Sequence, residues 1–309
     1  MPPESAPQHV HECGRWEPMN PNAVADPVEQ HQPAPNDEAH PPKDRRRVGK
    51  VVLITIAVVV VLAVVAALVF FLGRDRAEEL TDDQALADFR ASAGEVSADD
   101  PRPAPGIYAA TASGQESIGL PGFDEELGPN APVTVTHGED GCYTYRADLN
   151  SHHWRSWTFC PSETATYALT QLDSWTARKA PGLDIATLTT YACDQPLDVF
   201  FEGAAAGDTR TGACTGTSDS DDGITEDSAS VEVLEVGTTT IAGERVEAVR
   251  VRTSDEFSGA QTGTEVGDWW LDATTGLPLK VEIEASLTGG PSDYAETIQL
   301  ELSTLTPAT

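Results

Sequence analysis

The sequence predicts a mainly β fold: an antiparallel sheet, half-barrel or sandwich, behind one transmembrane helix and a short juxtamembrane helix. Three observations predict it. The uncharged run 51–72 (VVLITIAVVVVLAVVAALVFFL), from Val51 at one end to Leu72 at the other, is almost wholly Val, Leu, Ile, Ala and Phe. At about 1.5 Å per residue it makes a helix of roughly 33 Å, enough for a hydrocarbon core of about 30 Å. From Gly106 onward, short β-prone runs are separated by Gly, Pro, Asn and Asp. Cys142, Cys160, Cys193 and Cys214 all follow the apolar run, and an even number there suits two disulfides in an oxidising compartment.

These features divide the chain into a disordered cytoplasmic tail (1–47), a transmembrane helix (48–73), a helical stalk with a Pro-rich linker (74–103) and a disulfide-bonded β-rich extracytoplasmic domain (104–309). Residues 1–42 hold ten prolines and few aliphatics, so little apolar surface offsets the entropy of ordering them. His9, His11, Cys13, His31 and His40 are too irregularly spaced to read as a metal site. Residues 13–19 (CGRWEPM), around the lone aromatic Trp16, are a candidate docking motif set against plain linker.

Lys43, Arg45, Arg46, Arg47 and Lys50 precede the apolar run, whereas Arg74 and Arg76 follow it among Asp75, Glu78 and Glu79. Basic flanks stay in the cytoplasm, so the amino terminus is expected inside and the carboxy-terminal domain outside the cell membrane. The long basic tail and the absence of a small-x-small site argue for an uncleaved signal anchor rather than a cleaved signal peptide. Ala63 and Ala67 form a small-xxx-small pair that could support weak homodimerisation. The charge of −31 lies mostly beyond the helix, where 42 acids face 13 Lys and Arg. Such a surface repels nucleic acid and anionic headgroups.

Beyond the helix, Thr81-Asp-Asp-Gln84 matches a capping box before Leu86, Phe89 and Ala93, with Gly94 placed to end a helix of about twelve residues on the membrane surface. The stretch DDPRPAPG, starting at Asp99, reads as an extended linker. In the β region, VTVTH, CYTYR and WRSWTFC alternate, the last returning after a DLNSHH turn. Thr238–241 and 246–253 should pair through Ala242-Gly243-Glu244. Residues 268–271 should turn through Asp272 and Gly276 into a strand that Pro278 opens or that lies at an edge. Val281, Ile283, Ala285 and Leu287 share one face, as do Ile298, Leu300 and Leu302. The polar run 215–227 (TGTSDSDDGITED) reads as a mobile loop.

Chemistry is harder to find. No G-x-S-x-G elbow, no H-E-x-x-H and no Gly-rich phosphate loop occurs. His152 and His153 fall in the expected turn and read as exposed. Placing Gly223 at the invariant glycine of an EF-hand puts Ala229 where the bidentate Glu belongs, so that pattern fails. A looser calcium site at Asp219, Asp221 and Asp222 competes with a solvated charge run. No catalytic residue, cofactor or metal is therefore expected. Four cysteines allow three pairings, of which the sequential one, Cys142 with Cys160 and Cys193 with Cys214, is favoured.

The candidate ligand contacts are aromatic: Tyr143, Tyr145, Trp154, Trp157, Trp269 and Trp270. Tyr143 and Tyr145 share a strand face, as do Trp157 and Phe159, so a stacked cluster across the pair is expected, serving either as core or as a ligand surface. Trp269 and Trp270 are neighbours, so one faces in and the other out.

The stretches GIYAATASGQESI, VTVTHGEDGCYTYRADL, WTFC, GERVEAVRVRTS and DWWLDATTGLPLKVEIE resemble a group of single-pass membrane proteins of high-GC Gram-positive bacteria, over roughly residues 104–306. The hairpin WWLD-x-x-TGLPL also resembles lipoprotein-carrier and RseB-like proteins, and that resemblance implies a half-barrel holding lipidic ligands in the envelope. Neither carries catalytic residues. Together these readings point to a bitopic envelope protein, anchored in the lipid bilayer by residues 51–72, whose outer domain binds or senses an envelope lipid, glycan or protein without catalysis. The alternatives are a carboxylate-dependent hydrolase of envelope glycans and a structural partner of another membrane protein.

Overall fold

The computed structural model describes residues 45–92, 100–119, 122–289 and 293–309. The tail expected to be disordered, up to residue 44, the candidate docking motif at 13–19, the expected helix stop at Gly94 and the expected start of the linker at Asp99 lie outside the described residues. By internal contacts the chain divides at Ala57, inside the first helix, and the unit Val58–Thr309 contains the strands.

Helix α1 (Arg45–Leu72) starts within the basic cluster. It is long and apolar enough over Leu53–Leu72 to cross a membrane, and that stretch is unburied, unlike the core helix of a soluble domain.

Among the described residues, fourteen strands follow: β1 (Gly106–Tyr108), β2 (Ala110–Ser117), β3 (Glu125–Leu127), β4 (Val133–His137), β5 (Tyr143–Asn150), β6 (His153–Cys160), β7 (Tyr167–Ala180), β8 (Leu183–Phe200), β9 (Thr209–Ser218), β10 (Asp221–Ile241), β11 (Glu244–Gly259), β12 (Gln261–Asp272), β13 (Pro278–Gly289) and β14 (Tyr294–Leu302). They form a single antiparallel sheet, a curled half-barrel rather than a two-sheet sandwich. From β4 to β14 every strand pairs with its sequence neighbours; β1 joins beside β4, and β2 and β3 join beyond β14.

Helix α2 (Asp82–Ser92) has the expected capping box: Thr81 Oγ1 accepts from Gln84 N at 3.3 Å, and Gln84 Oε1 accepts from Thr81 N at 3.0 Å. It lies against β1 and buries Phe89. The segment before it docks on the sheet, where Ser151 N donates to Glu78 O at 2.8 Å and Glu78 N to Ser151 Oγ at 2.8 Å.

Turn chemistry sets the hairpins. Ala242 and Gly243 take φ of 53° and 77°, the two-residue turn that matches strand twist. In the β12–β13 turn, Asp272 Oδ1 accepts from Thr274 N at 3.0 Å and Thr275 N at 2.7 Å. Gly276 there has φ 73°, and a Cβ would sit 2.9 Å from the Tyr167 ring. Pro278 opens β13, where no ladder donor is lost.

The run 215–227 is not a loop. It ends β9 and begins β10, and both strands are paired on each side. Composition suggested a loop because its residues are small and polar, yet an interior hairpin satisfies its backbone whatever its side chains. Cys142 bonds Cys160 (2.08 Å) and Cys193 bonds Cys214 (2.10 Å), the sequential pairing, with Cys193 opposite Cys214 in the β8–β9 register.

Candidate functional site

Strand alternation places every second residue on the inner face. Along one row of that face Ala229 stands opposite Asp255, Asp255 opposite Glu265, Glu265 opposite Ala285, Ala285 opposite Glu296, and Glu296 opposite Glu116. Four acids in one cross-strand row repel one another. Their counter-charges arrive from β6 and β7, across the curl of the sheet.

Arg155 Nη1 lies 3.0 Å from Glu296 and its Nη2 2.8 Å from Glu265. Arg178 reaches Glu116 at 2.6 Å and Glu125 at 3.2 Å. His153, with no exposed surface, stands 3.2 Å from Glu116 and 3.3 Å from Glu296, at ion-pair distance but without hydrogen-bond geometry. Burial works against its imidazolium, but Glu116 and Glu296 outweigh it and raise the pKa. Burial likewise opposes the Glu116 carboxylate, yet His153 and Arg178 hold it down at about 2. Glu296 moves up, because burial exceeds the pull of His153 and Arg155.

Every cation of this group is thus engaged: Arg155 by Glu265 and Glu296, Arg178 by Glu116 and Glu125, and His153 by Glu116 and Glu296. Asp227 and Asp255 are left over, and neither makes an ion pair among the described residues. Asp227 is 7 % exposed and its Oδ1 has no hydrogen-bond partner. Burial, then the charge of Glu265, pushes its carboxyl up to about 7. Asp255 is raised well above its ordinary value by burial, then by Glu265 and Asp227.

Beside this row is a cavity of about 150 Å³. Trp157, Trp269, Leu172 and Phe257 give it an apolar wall; Arg155, Asp227, Asp255, Glu265 and Glu296 give it a charged one. Trp269 meets Trp157 edge-on at 5.2 Å and donates its indole N–H to Thr253 Oγ1 at 3.3 Å. Gly267 makes this possible, since a Cβ would stand 2.6 Å from that indole nitrogen. Tyr191, also lining the cavity, occupies the space left by Gly216, where a Cβ would stand 2.3 Å from its ring.

Of the six aromatic candidates, then, the structure brings Trp157 and Trp269 to the cavity. Tyr143 and Tyr145 are buried in the core: Tyr143 stacks on Phe159 at 5.1 Å and donates to Gly276 O at 2.9 Å. Trp154 and Trp270 lie on the other face, Trp154 stacked on Trp175 at 6.5 Å and Trp270 with Arg250 and Lys280 each 4.6 Å from its ring. Ala63 and Ala67 are exposed on α1.

The turn falls where expected, at Ser151-His152, but neither histidine is exposed. Both are buried, because β5 and β6 run on until Asn150 pairs with His153; His152 Nδ1 lies 3.1 Å from Glu125. Asp219, at the tip of the acidic hairpin, accepts from Leu188 N at 2.8 Å. Among the described residues no three His, Cys, Asp or Glu side chains gather as a metal site.

Sequence reasoning missed the charged row. A signal was present: in HWRSWTFC, Arg155 shares the face of Trp157 and Phe159, and Asp227 precedes Ala229, Val231 and Val233 at period two. No protein family, no curated protein and no solved structure matches this chain.

Proposed function

We propose that this is a single-pass membrane protein, amino terminus in the cytoplasm, whose half-barrel lies outside the cell membrane and binds an envelope amphiphile without catalysis. The observation that carries the reading is the cavity on the inner face of the sheet, with tryptophans on one wall and ionisable groups on the other. Ligand sites combine an apolar lining with a few placed polar groups in this way. The disulfides suit an oxidising compartment, and the basic flank before residue 51 suits a cytoplasmic tail. A volume of about 150 Å³ matches one ring or a short chain, so the cavity would hold one end of a larger ligand.

Full-length protein purified from its own membrane in nonionic detergent, then extracted and analysed by mass spectrometry, should carry a stoichiometric amphiphile that is depleted in Trp269→Ala. Recovery of detergent and bulk lipid alone, equal in both proteins, would refute this reading. A carboxylate-dependent glycan hydrolase is the second reading, favoured by the raised Asp227 beside Glu265. It predicts release of reducing ends from cell-wall glycan, abolished in Glu265→Gln.

A further inference from the structure

We propose that the cavity selects ligands bearing a cationic amine next to an apolar ring or short chain, the amine seated against Asp227 and Asp255 and the apolar part against Trp157 and Trp269. This rests on the reading that the cavity binds a ligand, and it names the ligand's chemistry. The first ground is charge balance. Within the inner row each cation is already engaged: Arg155 by Glu265 and Glu296, Arg178 by Glu116 and Glu125, His153 by Glu116 and Glu296. Two acids, Asp227 and Asp255, are left facing the cavity with no ion-pair partner among the described residues; Arg155 is the nearest cation to act on Asp255, and it is already held by Glu265 and Glu296.

The second ground is geometric and independent of that count. Asp227 is more than nine-tenths buried, lines the cavity, and has an oxygen that no donor satisfies. A buried carboxylate in that condition costs several kcal/mol unless it is protonated or paired. An anionic ligand would meet four acids and a single arginine that is already held. A neutral ligand would leave the two aspartates as they are. A protonated amine supplies the missing charge and the missing donors, and it gains from the faces of neighbouring aromatic rings.

The titratable groups around the seat are Asp227 on β10, Asp255 on β11, Glu265 on β12, Glu296 and Tyr294 on β14, Arg155 on β6 and Tyr191 on β8. Burial and the charge of Glu265 push the Asp227 carboxyl up to about 7, and burial, Glu265 and Asp227 raise Asp255 as well, so the seat gains negative charge as pH rises. An aliphatic amine stays protonated around neutrality, so binding should tighten as pH rises through it.

The test is isothermal titration of full-length protein in nonionic detergent with three water-soluble probes of one shape: 2-phenylethylamine, 2-phenylethanol and 3-phenylpropionate. The amine should bind at pH 8, with the alcohol at least about tenfold weaker and the carboxylate silent. Lowering the pH to 5.5 should weaken the amine about tenfold or more, since each unit below a pKa cuts the ionised fraction about tenfold. Asp227→Asn and Asp255→Asn should each weaken the amine and flatten that pH dependence, while Glu202→Gln, on the exposed surface, should change nothing. Equal binding of amine and alcohol, or an unaltered pH profile in Asp227→Asn, would overturn the amine assignment and leave ligand binding standing. No heat from any probe, with an amphiphile still co-purifying, would also overturn it alone. No heat and no co-purifying molecule would overturn both.

Discussion

Replacing Asp227 by Asn should stabilise the protein at pH 8 and leave it nearly unchanged at pH 4. The native carboxyl is raised from 3.8 to about 7, with burial the first cause and Glu265 the second. Between those values the folded protein holds a proton that the unfolded chain has lost. The contribution of Asp227 is therefore fully present below pH 3.8 and is lost as pH rises through 7. Three units at about 1.4 kcal/mol each amount to roughly 4 kcal/mol, and water entering the cavity reduces this to about 2–4 kcal/mol. Asn keeps the shape and cannot ionise. For a domain near 200 residues, each kcal/mol moves the melting temperature by about 2–4 °C, so the variant should melt roughly 4–16 °C higher at pH 8. Circular dichroism melts of full-length protein and variant from pH 4 to 8.5 in one detergent measure the difference, in which groups that ignore Asp227 cancel. An offset that stays constant with pH would refute the reasoning.

Three further outcomes follow from the same geometry. Arg178→Met leaves Glu116 buried with only His153 beside it and should cost about 3–5 kcal/mol, most of it recovered in Arg178→Met with Glu116→Gln, read from urea midpoints. Gly267→Ala drives a Cβ to 2.6 Å from the Trp269 indole nitrogen and 2.7 Å from Thr253 Oγ1; it should cost about 1–3 kcal/mol and shift tryptophan emission. A membrane-impermeant maleimide should label no cysteine in intact cells, and after permeabilisation and denaturation without reductant it should label Cys13 alone; labelling of intact cells would reverse the orientation.

The parts of this fold legible in the sequence are those whose cause is local. An uncharged run of spanning length, a Thr81–Gln84 capping box, Ala-Gly and Asp…Gly turns, and disulfides between neighbouring strands all arise within some twenty residues. The charged row has no local cause. Arg155 meets Glu296 across 141 positions and Glu265 across 110, and Arg178 meets Glu116 across 62. Which strands face each other across the curl is a tertiary fact, so Glu265 in QTGTEVGDWW reads like any other polar residue on an alternating strand. The burial of the histidines has a related cause. DLNSHH has turn composition and turns at Ser151-His152, but β6 begins at His153, whose ring lies inside beside Glu116 and Glu296. The aromatic faces followed from period two alone, and Tyr143 opposite Phe159 and Tyr145 opposite Trp157 are that period made three-dimensional.

On the proposed reading, stability and ligand choice in this domain share one cause. An ionised Asp227 without a partner opposes folding as the pH rises, and the same unmet charge is what an amine would neutralise. A ligand that supplies the charge should recover, on binding, part of the free energy that Asp227→Asn recovers by deletion. The variant should therefore be more stable when empty and a poorer binder of amines. The ligand-induced rise in melting temperature should shrink in it by a similar amount. A core built only for packing would fill this position with an apolar side chain, as it does at Ala229, Val231 and Val233 on the same strand face. If Asp227→Asn gained stability and bound the amine as well as before, the unmet charge would belong to folding alone and the amine assignment would fall.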